Sequence, residues 1–473
     1  MELYSFDFFL FLFFVAAVFY FFPSGQRIIL LCGSLLFVLA RNPASLLILL
    51  ALTIFNYYTG RHLSKAKSLR QLLFYSGLAI NIVAFFLIRY SPMFAGDALP
   101  GAFHTGGEVY ILGISFYSLQ NIAYLVSMYS GQNDSRASLI DYAIYSNYFP
   151  KVTSGPLTPV DSFIDRLREK ILFRKENIIT GINRMALGIF KKIVLADRLS
   201  MAAPLLFDQD GHYSGITVFA AICLFAFRIY FDFSAYTDIA IGASRLFGIE
   251  LKENFRYPFR ASSVADFWRR WHISLYDWLR EYVYLPVAFS LRQFGMLAVI
   301  AGIGVTVLIS GIWHGAGLTF IAYAGMNILY LVTELATKNI KGKLSEYMYP
   351  RIYKGLGIFF TFSAVCLSFI FFRSSSWVIA KTRMTQILSV HDFFPESPVG
   401  GFIAPLAGGG DLESQFNFYV SVLLATLFFI IETKADNIAR SAEVRWGYFV
   451  LVFLSVLLFG VLDKGHHFIY NQF

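Results

Sequence analysis

Residues 293–333 read QFGMLAVIAGIGVTVLISGIWHGAGLTFIAYAGMNILYLVT, and none of them carries a formal charge. A bilayer-spanning helix needs about 20 consecutive apolar residues, so this run is long enough to cross the hydrocarbon twice. Working outward, further charge-free stretches lie between Arg41 and Arg61, Arg70 and Arg89, Lys354 and Arg373, Glu413 and Glu432, and Arg445 and Asp463. Each has the length of one crossing. Across all 473 residues, 57% are hydrophobic, 52 are Phe and only 15% are charged, a mixture foreign to soluble domains. The fold expected is all-α, a multi-pass integral membrane protein in which lipid is the main solvent.

The first apolar segment, Phe8 to Phe22, lacks a basic leader and a small-residue cleavage site, so it reads as a retained span and not as a signal peptide. The net charge of +9 points to topology before nucleic acid, because Lys and Arg collect in cytoplasmic loops. By that rule the loop from Arg61 to Arg70, the stretch from Lys338 to Lys354 and the stretch from Lys434 to Arg445 are cytoplasmic. The span 446–462 then leaves 463–473 as an extracytoplasmic tail, with both termini outside and an even number of spans. The whole chain, 1–473, reads as a single membrane domain. Phe163 to Glu176 (FIDRLREKILFRKE) has the spacing of an amphipathic helix on the cytoplasmic leaflet, with a solvated linker as the other reading. Residues 374–415 are rich in Gly and Pro and are expected to form a long external loop. Cys32, Cys223 and Cys366 are scattered through apolar runs and form neither a disulfide framework nor a zinc site. No metal is expected.

Polar residues stand out against this background. His314 lies in the middle of the uncharged run, in Ser310-Gly-Ile-Trp-His-Gly-Ala-Gly317. A histidine at membrane depth is costly and marks function, whereas a glycine-rich turn between two spans would place it at the external surface, where it costs little. The residues alone leave both readings open. Asp266-Phe-Trp-Arg-Arg-Trp-His-Ile-Ser274 contains a second candidate, His272, for which an interfacial helix with Trp268, Trp271 and Trp278 as belt residues is the competing reading. His272 and Asp277 also form a His-x4-Asp pair, but residues five apart do not share a helical face, so that match is chance. Asp232 and Asp238 in FDFSAYTD are six apart and only approximately on one face; pairing with Arg228, Arg245 or another arginine is favoured over a catalytic role. No third ligand is spaced to make them a metal site.

Taken together, FDFSAYTDIAIG, ENFRYPF and DFWRRWHISLYDWLREYVYLPV within Tyr230 to Pro286, followed by SGIWHG, resemble the signature of the membrane-bound O-acyltransferase family. The likeness is to its bacterial branch, which O-acetylates alginate and peptidoglycan or D-alanylates teichoic acid. Asn147 to Pro156 (NYFPKVTSGP) also resembles a family segment, and the matching core covers 111–330. The resemblance implies a ring of about twelve spans, with re-entrant and amphipathic helices, around a central tunnel. It implies an acyl thioester donor on the cytoplasmic side, acetyl-CoA or an acyl carrier, with no bound cofactor. His314 then matches the family's near-invariant histidine and His272 its second one. An imidazole in an apolar tunnel is disfavoured as a cation and can take a hydroxyl proton while the oxygen attacks the thioester.

The last six residues, Phe468-Ile-Tyr-Asn-Gln-Phe473, resemble the family's C-terminal aromatic hexapeptide, with Asn471 in place of the usual aromatic. That likeness implies that Tyr470 relays the acyl group to a serine of an extracytoplasmic partner transferase. An interfacial anchor is the alternative, since Tyr and Phe favour the headgroup zone. The function expected is transfer of an acetyl group across the bacterial inner membrane for O-acylation of a polysaccharide. A long-chain lipid or protein acyltransferase, a transporter and a structural export subunit are the rivals.

Overall fold

A computed structural model describes residues 2–64, 68–95, 104–105, 108–109, 111–131, 137–201, 206–208, 211–315, 317–389, 392–394, 400–407, 412–441, 443 and 446–461. Helices account for nearly all of it. The first four are α1 (Phe6–Phe21), α2 (Gln26–Arg41), α3 (Pro43–Leu63) and α4 (Arg70–Ala95). A minimal antiparallel pairing of His104–Thr105 with Glu108–Val109 precedes α5 (Ile114–Ser130), α6 (Leu139–Asn147) and α7 (Val160–Arg168). Helix α8 (Lys175–Phe190) runs through a widened π turn, Lys191–Ala196, into α9 (Asp197–Ser200). Then come α10 (Gly215–Leu246), α11 (Val264–Trp268), α12 (Ile273–Leu279) and α13 (Leu285–Ser290), the last two joined by a second π turn, Arg280–Tyr284. The chain continues with α14 (Met296–His314), α15 (Leu318–Ala336), α16 (Lys338–Tyr347), α17 (Pro350–Arg373), α18 (Trp377–Leu388), α19 (Gly400–Ala407), α20 (Leu412–Ala439) and α21 (Trp446–Phe459).

Eight of the described helices are long and apolar enough to cross a membrane, and the two shorter apolar helices are α1 and α21. The chain is a multi-pass membrane protein. Helix ends follow local chemistry: Asn42 caps α3 by accepting from the Ser45 N–H at 3.1 Å, with Pro43 in the first helical position where its missing N–H costs nothing. Helix α10 is the hub, with 61% of its apolar window buried against 22% for α14, α15 and α20. The outer helices instead expose Phe14, Leu87, Leu297, Leu329 and Ile430, as lipid-facing surfaces do.

Two expectations change. Residues 163–176 do not form one helix: α7 stops at Arg168, and Glu169 is extended. Gln26 is the cause, because its side chain donates to the Ile171 carbonyl at 2.8 Å and accepts from the Ile171 N–H, holding that backbone open. Residues 374–415 are not a plain loop, since α18 and α19 lie within them. Ser376 caps α18, and the buried Arg383 donates to the carbonyls of Leu206 and Gly211 at 2.6 and 2.7 Å, which ties α18 to the segment before α10.

Candidate active site

The uncharged run folds as the hairpin α14–α15. A Cβ on Gly311 would sit 2.8 Å from the Phe320 carbonyl oxygen and 2.9 Å from the Ala324 Cβ, so only glycine lets the two helices approach this closely. His314 is the last residue of α14. The sequence left it either buried or at the surface, and it is buried, at 5% exposure. The covering rings come from elsewhere in the chain: Phe372 of α17 at 5.4 Å and Tyr323 of α15 at 6.4 Å between centroids, with the neighbouring Trp313 at 4.8 Å. Tyr90 of α4 donates to the Ile312 carbonyl at 2.5 Å and fixes the end of the helix.

His272 sits between α11 and α12 with φ 49°, a left-handed conformation that few non-glycine residues adopt. Asn254 holds it there. The Asn254 carbonyl accepts from the Ile273 N–H at 2.9 Å, and its Oδ1 accepts from the Ser274 N–H at 3.1 Å. The Ser274 hydroxyl in turn accepts from the Leu157 N–H at 3.0 Å, which couples this turn to the 147–157 segment. That segment is buried, with the Lys151 ammonium on Gln120 at 2.6 Å and over the rings of Tyr145 and Phe163. The His272 ring packs on Phe233 at 4.7 Å and Phe116 at 5.8 Å. Its surroundings, burial first and the nearby His314 second, press its pKa well below the usual imidazole value, against a smaller opposing effect of its own backbone. The imidazole is therefore neutral at neutral pH. An interfacial tryptophan belt is not what forms: Trp271 is interior, and Trp278 donates its indole N–H to the Leu119 carbonyl at 2.9 Å.

Both histidines line one cavity of about 310 Å³, and Trp313 contacts both rings. Its walls are mainly apolar, with Ser310, Thr306 and Asn327 among the polar exceptions. On α14 the lining extends from His314 back to Ile303, roughly 16 Å by helical rise, along the face shared with α15 and toward Leu331. Among the described residues no group of three His, Cys, Asp or Glu is placed to hold a metal. Tyr470 lies outside the described residues.

A second cavity, about 260 Å³, is separated from the first by the Phe255–Trp271 ring pair at 5.2 Å. It is lined by Arg184, Lys191, Arg256 and Arg440 and by Asp238, Glu253, Glu432 and Asp436, a balance of charge that gives an anion no net attraction. Six of these groups, Arg184, Lys191, Arg440, Asp238, Glu253 and Asp436, pair with one another. Arg184 reaches Asp238 at 2.7 Å, Glu253 at 2.7 Å and Asp436 at 2.9 Å, while Lys191 also meets Asp238 at 3.0 Å. Asp232 pairs with Lys192 at 2.8 Å. Asp238 therefore pairs with an arginine as expected, Arg184 of α8, whereas Asp232 is held by a lysine of the π turn, Lys192.

Sequence reasoning assigned no role to Asn254 or Arg184. The signal for Asn254 was a lone amide opening the aromatic segment FRYPF; nothing local marked Arg184. Replacing Asn254 by leucine strands the buried Ser274 N–H at a cost of about 1–3 kcal/mol and releases the left-handed turn at His272. The expected outcome is a lower unfolding temperature in detergent together with a turnover number reduced roughly 10-fold, and unchanged turnover would show that Asn254 does not position the site.

The sequence profile of the membrane-bound O-acyltransferase family matches residues 45–372. The chain is similar to a probable alginate O-acetylase of Pseudomonas putida, 29% identical over 401 residues that cover 81% of this chain and 80% of that protein. It is similar to the peptidoglycan O-acetyltransferase of Helicobacter pylori, 30% identical over 386 residues, 75% of this chain and 72% of that one. Similarity to the teichoic acid D-alanyltransferase of Bacillus subtilis is 25% over 270 residues, 55% of this chain and 68% of that protein.

Proposed function

The chain belongs to the membrane-bound O-acyltransferase family and is an acyltransferase, and from that premise we propose that it moves an acetyl group from a cytoplasmic thioester to a hydroxyl on the far side of the bacterial inner membrane. The end product is an O-acetylated envelope polysaccharide, the class of polymer named for the alginate and peptidoglycan relatives. One observation carries the reading: His272 and His314, far apart in sequence, line the same largely apolar cavity.

The chemistry follows from the imidazoles. The acceptor oxygen attacks the thioester carbonyl carbon and forms the C–O bond, while His314 takes the hydroxyl proton. Neutral His272 can donate its ring N–H to the carbonyl oxygen as charge develops there. Collapse breaks the C–S bond, and the departing thiolate recovers the proton from His314. The pantetheine arm enters along the α14–α15 face, from the end that leads into the basic stretch Lys338 to Lys354. The acceptor is Tyr470, which passes the acetyl group to the serine of a partner transferase, or that partner's hydroxyl itself. A phenol near pH 7 needs an adjacent base, so Tyr470 has to approach His314.

The test uses purified full-length protein with radiolabelled acetyl-CoA and an acetylated carrier protein. The expected result is one free thiol released per acetyl moved, label on the chain before the glycan, and loss of that label in Tyr470→Phe. Substrate crossing without thiol release would identify a transporter. Faster turnover of long-chain acyl-CoA would identify a lipid or protein acyltransferase.

A further inference from the structure

Asn327 lies one helical turn beyond Tyr323 on α15, fully buried, on the wall of the cavity that holds both histidines. Its side-chain Nδ2 donates to the Tyr323 carbonyl at 2.8 Å, which fixes the amide's orientation because a carbonyl can only accept. The other end, Oδ1, is buried and has no hydrogen-bond partner among the described residues. Trp268 lines the same cavity, with its ring 6.5 Å from that of Tyr323. Its indole Nε1–H is likewise buried without a partner among the described residues. One unmet acceptor and one unmet donor therefore border a space whose remaining walls are mostly apolar. Leaving such groups unsatisfied is costly, so what fills the space is expected to answer both.

We infer that Asn327 and Trp268 recognise a secondary amide of the donor's pantetheine arm, with Asn327 Oδ1 accepting the amide N–H and Trp268 Nε1 donating to the amide carbonyl. A trans secondary amide presents these two functions on adjacent atoms, pointing to opposite sides of a thin, otherwise aliphatic chain, which suits a mostly apolar cavity with one polar partner for each. A fatty acyl chain has neither and would leave both protein groups dry and unpaired, so the pair also selects the thioester's orientation: pantetheine along α15, acetyl at the imidazoles. The inference rests on the thioester chemistry proposed above. Coenzyme A and an acyl carrier protein share this arm, so the recognition serves either.

The experiment compares two small acetyl thioesters with the full-length protein in detergent: S-acetyl-N-acetylcysteamine, which retains one amide, and S-ethyl thioacetate, which has none. The wild-type ratio of kcat/KM is expected to favour the amide-bearing thioester by roughly 10- to 100-fold, and Asn327→Leu and Trp268→Phe are each expected to lower that ratio roughly 5- to 10-fold. A disturbed fold would reduce both activities together and leave the ratio in place, so the ratio reports recognition. Acetyl-CoA and acetylated carrier protein should lose efficiency to the same extent in each variant; a loss confined to one donor overturns the pantetheine assignment. A wild-type ratio near 1, or a ratio that both variants preserve, overturns the inference while leaving acetyl transfer standing. Failure of all four thioesters to acylate any acceptor overturns the proposed function and this inference together.

Discussion

Replacing His314 by alanine is expected to lower the turnover number for acetyl transfer roughly 100- to 10,000-fold, the range over which a lost general base is felt. On the mechanism proposed above the effect belongs in kcat and not in KM, because the ring would act when the proton moves while the walls around it hold the thioester. The site also makes the loss specific. His314 lies at the end of α14 among Trp313, Tyr323 and Phe372, so the truncation leaves a hole where the ring was and leaves the α14–α15 contact at Gly311 untouched. Free imidazole supplied at millimolar concentration is expected to restore part of the rate, and His314→Gln, which keeps the volume, should be as inactive as alanine. Pre-steady-state release of free thiol, followed with a chromogenic disulfide, reads the chemical step directly. Retention of more than a third of wild-type kcat in the alanine variant would place the base elsewhere and rule out proton transfer to His314.

The largest effect on stability is expected at Arg184. Its guanidinium is 7% exposed and meets three carboxylates, from α10, the 250s segment and α20, so one side chain closes three tertiary joints. Substitution by methionine keeps the volume and removes the charge. Lys191 still faces Asp238, and Arg440 still faces Glu253 and Asp436, so the acids are not abandoned completely. Even so, removing one partner from a buried ion pair typically costs about 3–5 kcal/mol, because a desolvated charge loses its counter-ion. The expected result is a depressed unfolding temperature in detergent and poor recovery of monodisperse protein. Paired replacement of Arg184 by methionine and Asp238 by asparagine should recover part of the loss. A single variant as stable as wild type would mean that the network contributes little to holding α8, α10 and α20 together.

How much of this was visible in the chain depends on what sets each feature. The α14–α15 hairpin is written in the absence of charge over 293–333, and α3, α4, α17 and most of α20 coincide with charge-free runs because lipid leaves few alternatives to a helix, whereas α10 carries Arg228, Asp232, Asp238 and Arg245 and is not marked in that way. The burial of His314 is not local information. It depends on Phe372, which arrives from α17, and on Tyr323 of α15, so its own neighbourhood could not separate a surface turn from a covered one. The same holds for α7, whose helical pattern continues past Arg168 while Gln26, far upstream, holds the following backbone extended. Helices α18 and α19 escaped notice because the glycine and proline content of 374–415 dominates its composition, whereas the Ser376 cap and buried Arg383 act at single positions. The two imidazoles were named from motif, and the cavity that joins them came only with the fold.

Tyr257 and His272 are the two non-glycine residues with positive φ among those described. Position 272 is thus constrained twice, once by the role proposed for its ring and once by the shape its backbone must take. Of the amino acids, asparagine and aspartate share histidine's tolerance of that shape, and β-branched residues resist it most. A saturation library at this codon would therefore be ranked by folding before it is ranked by chemistry. Asparagine is the exchange that separates the two pressures, and valine or isoleucine would confound them.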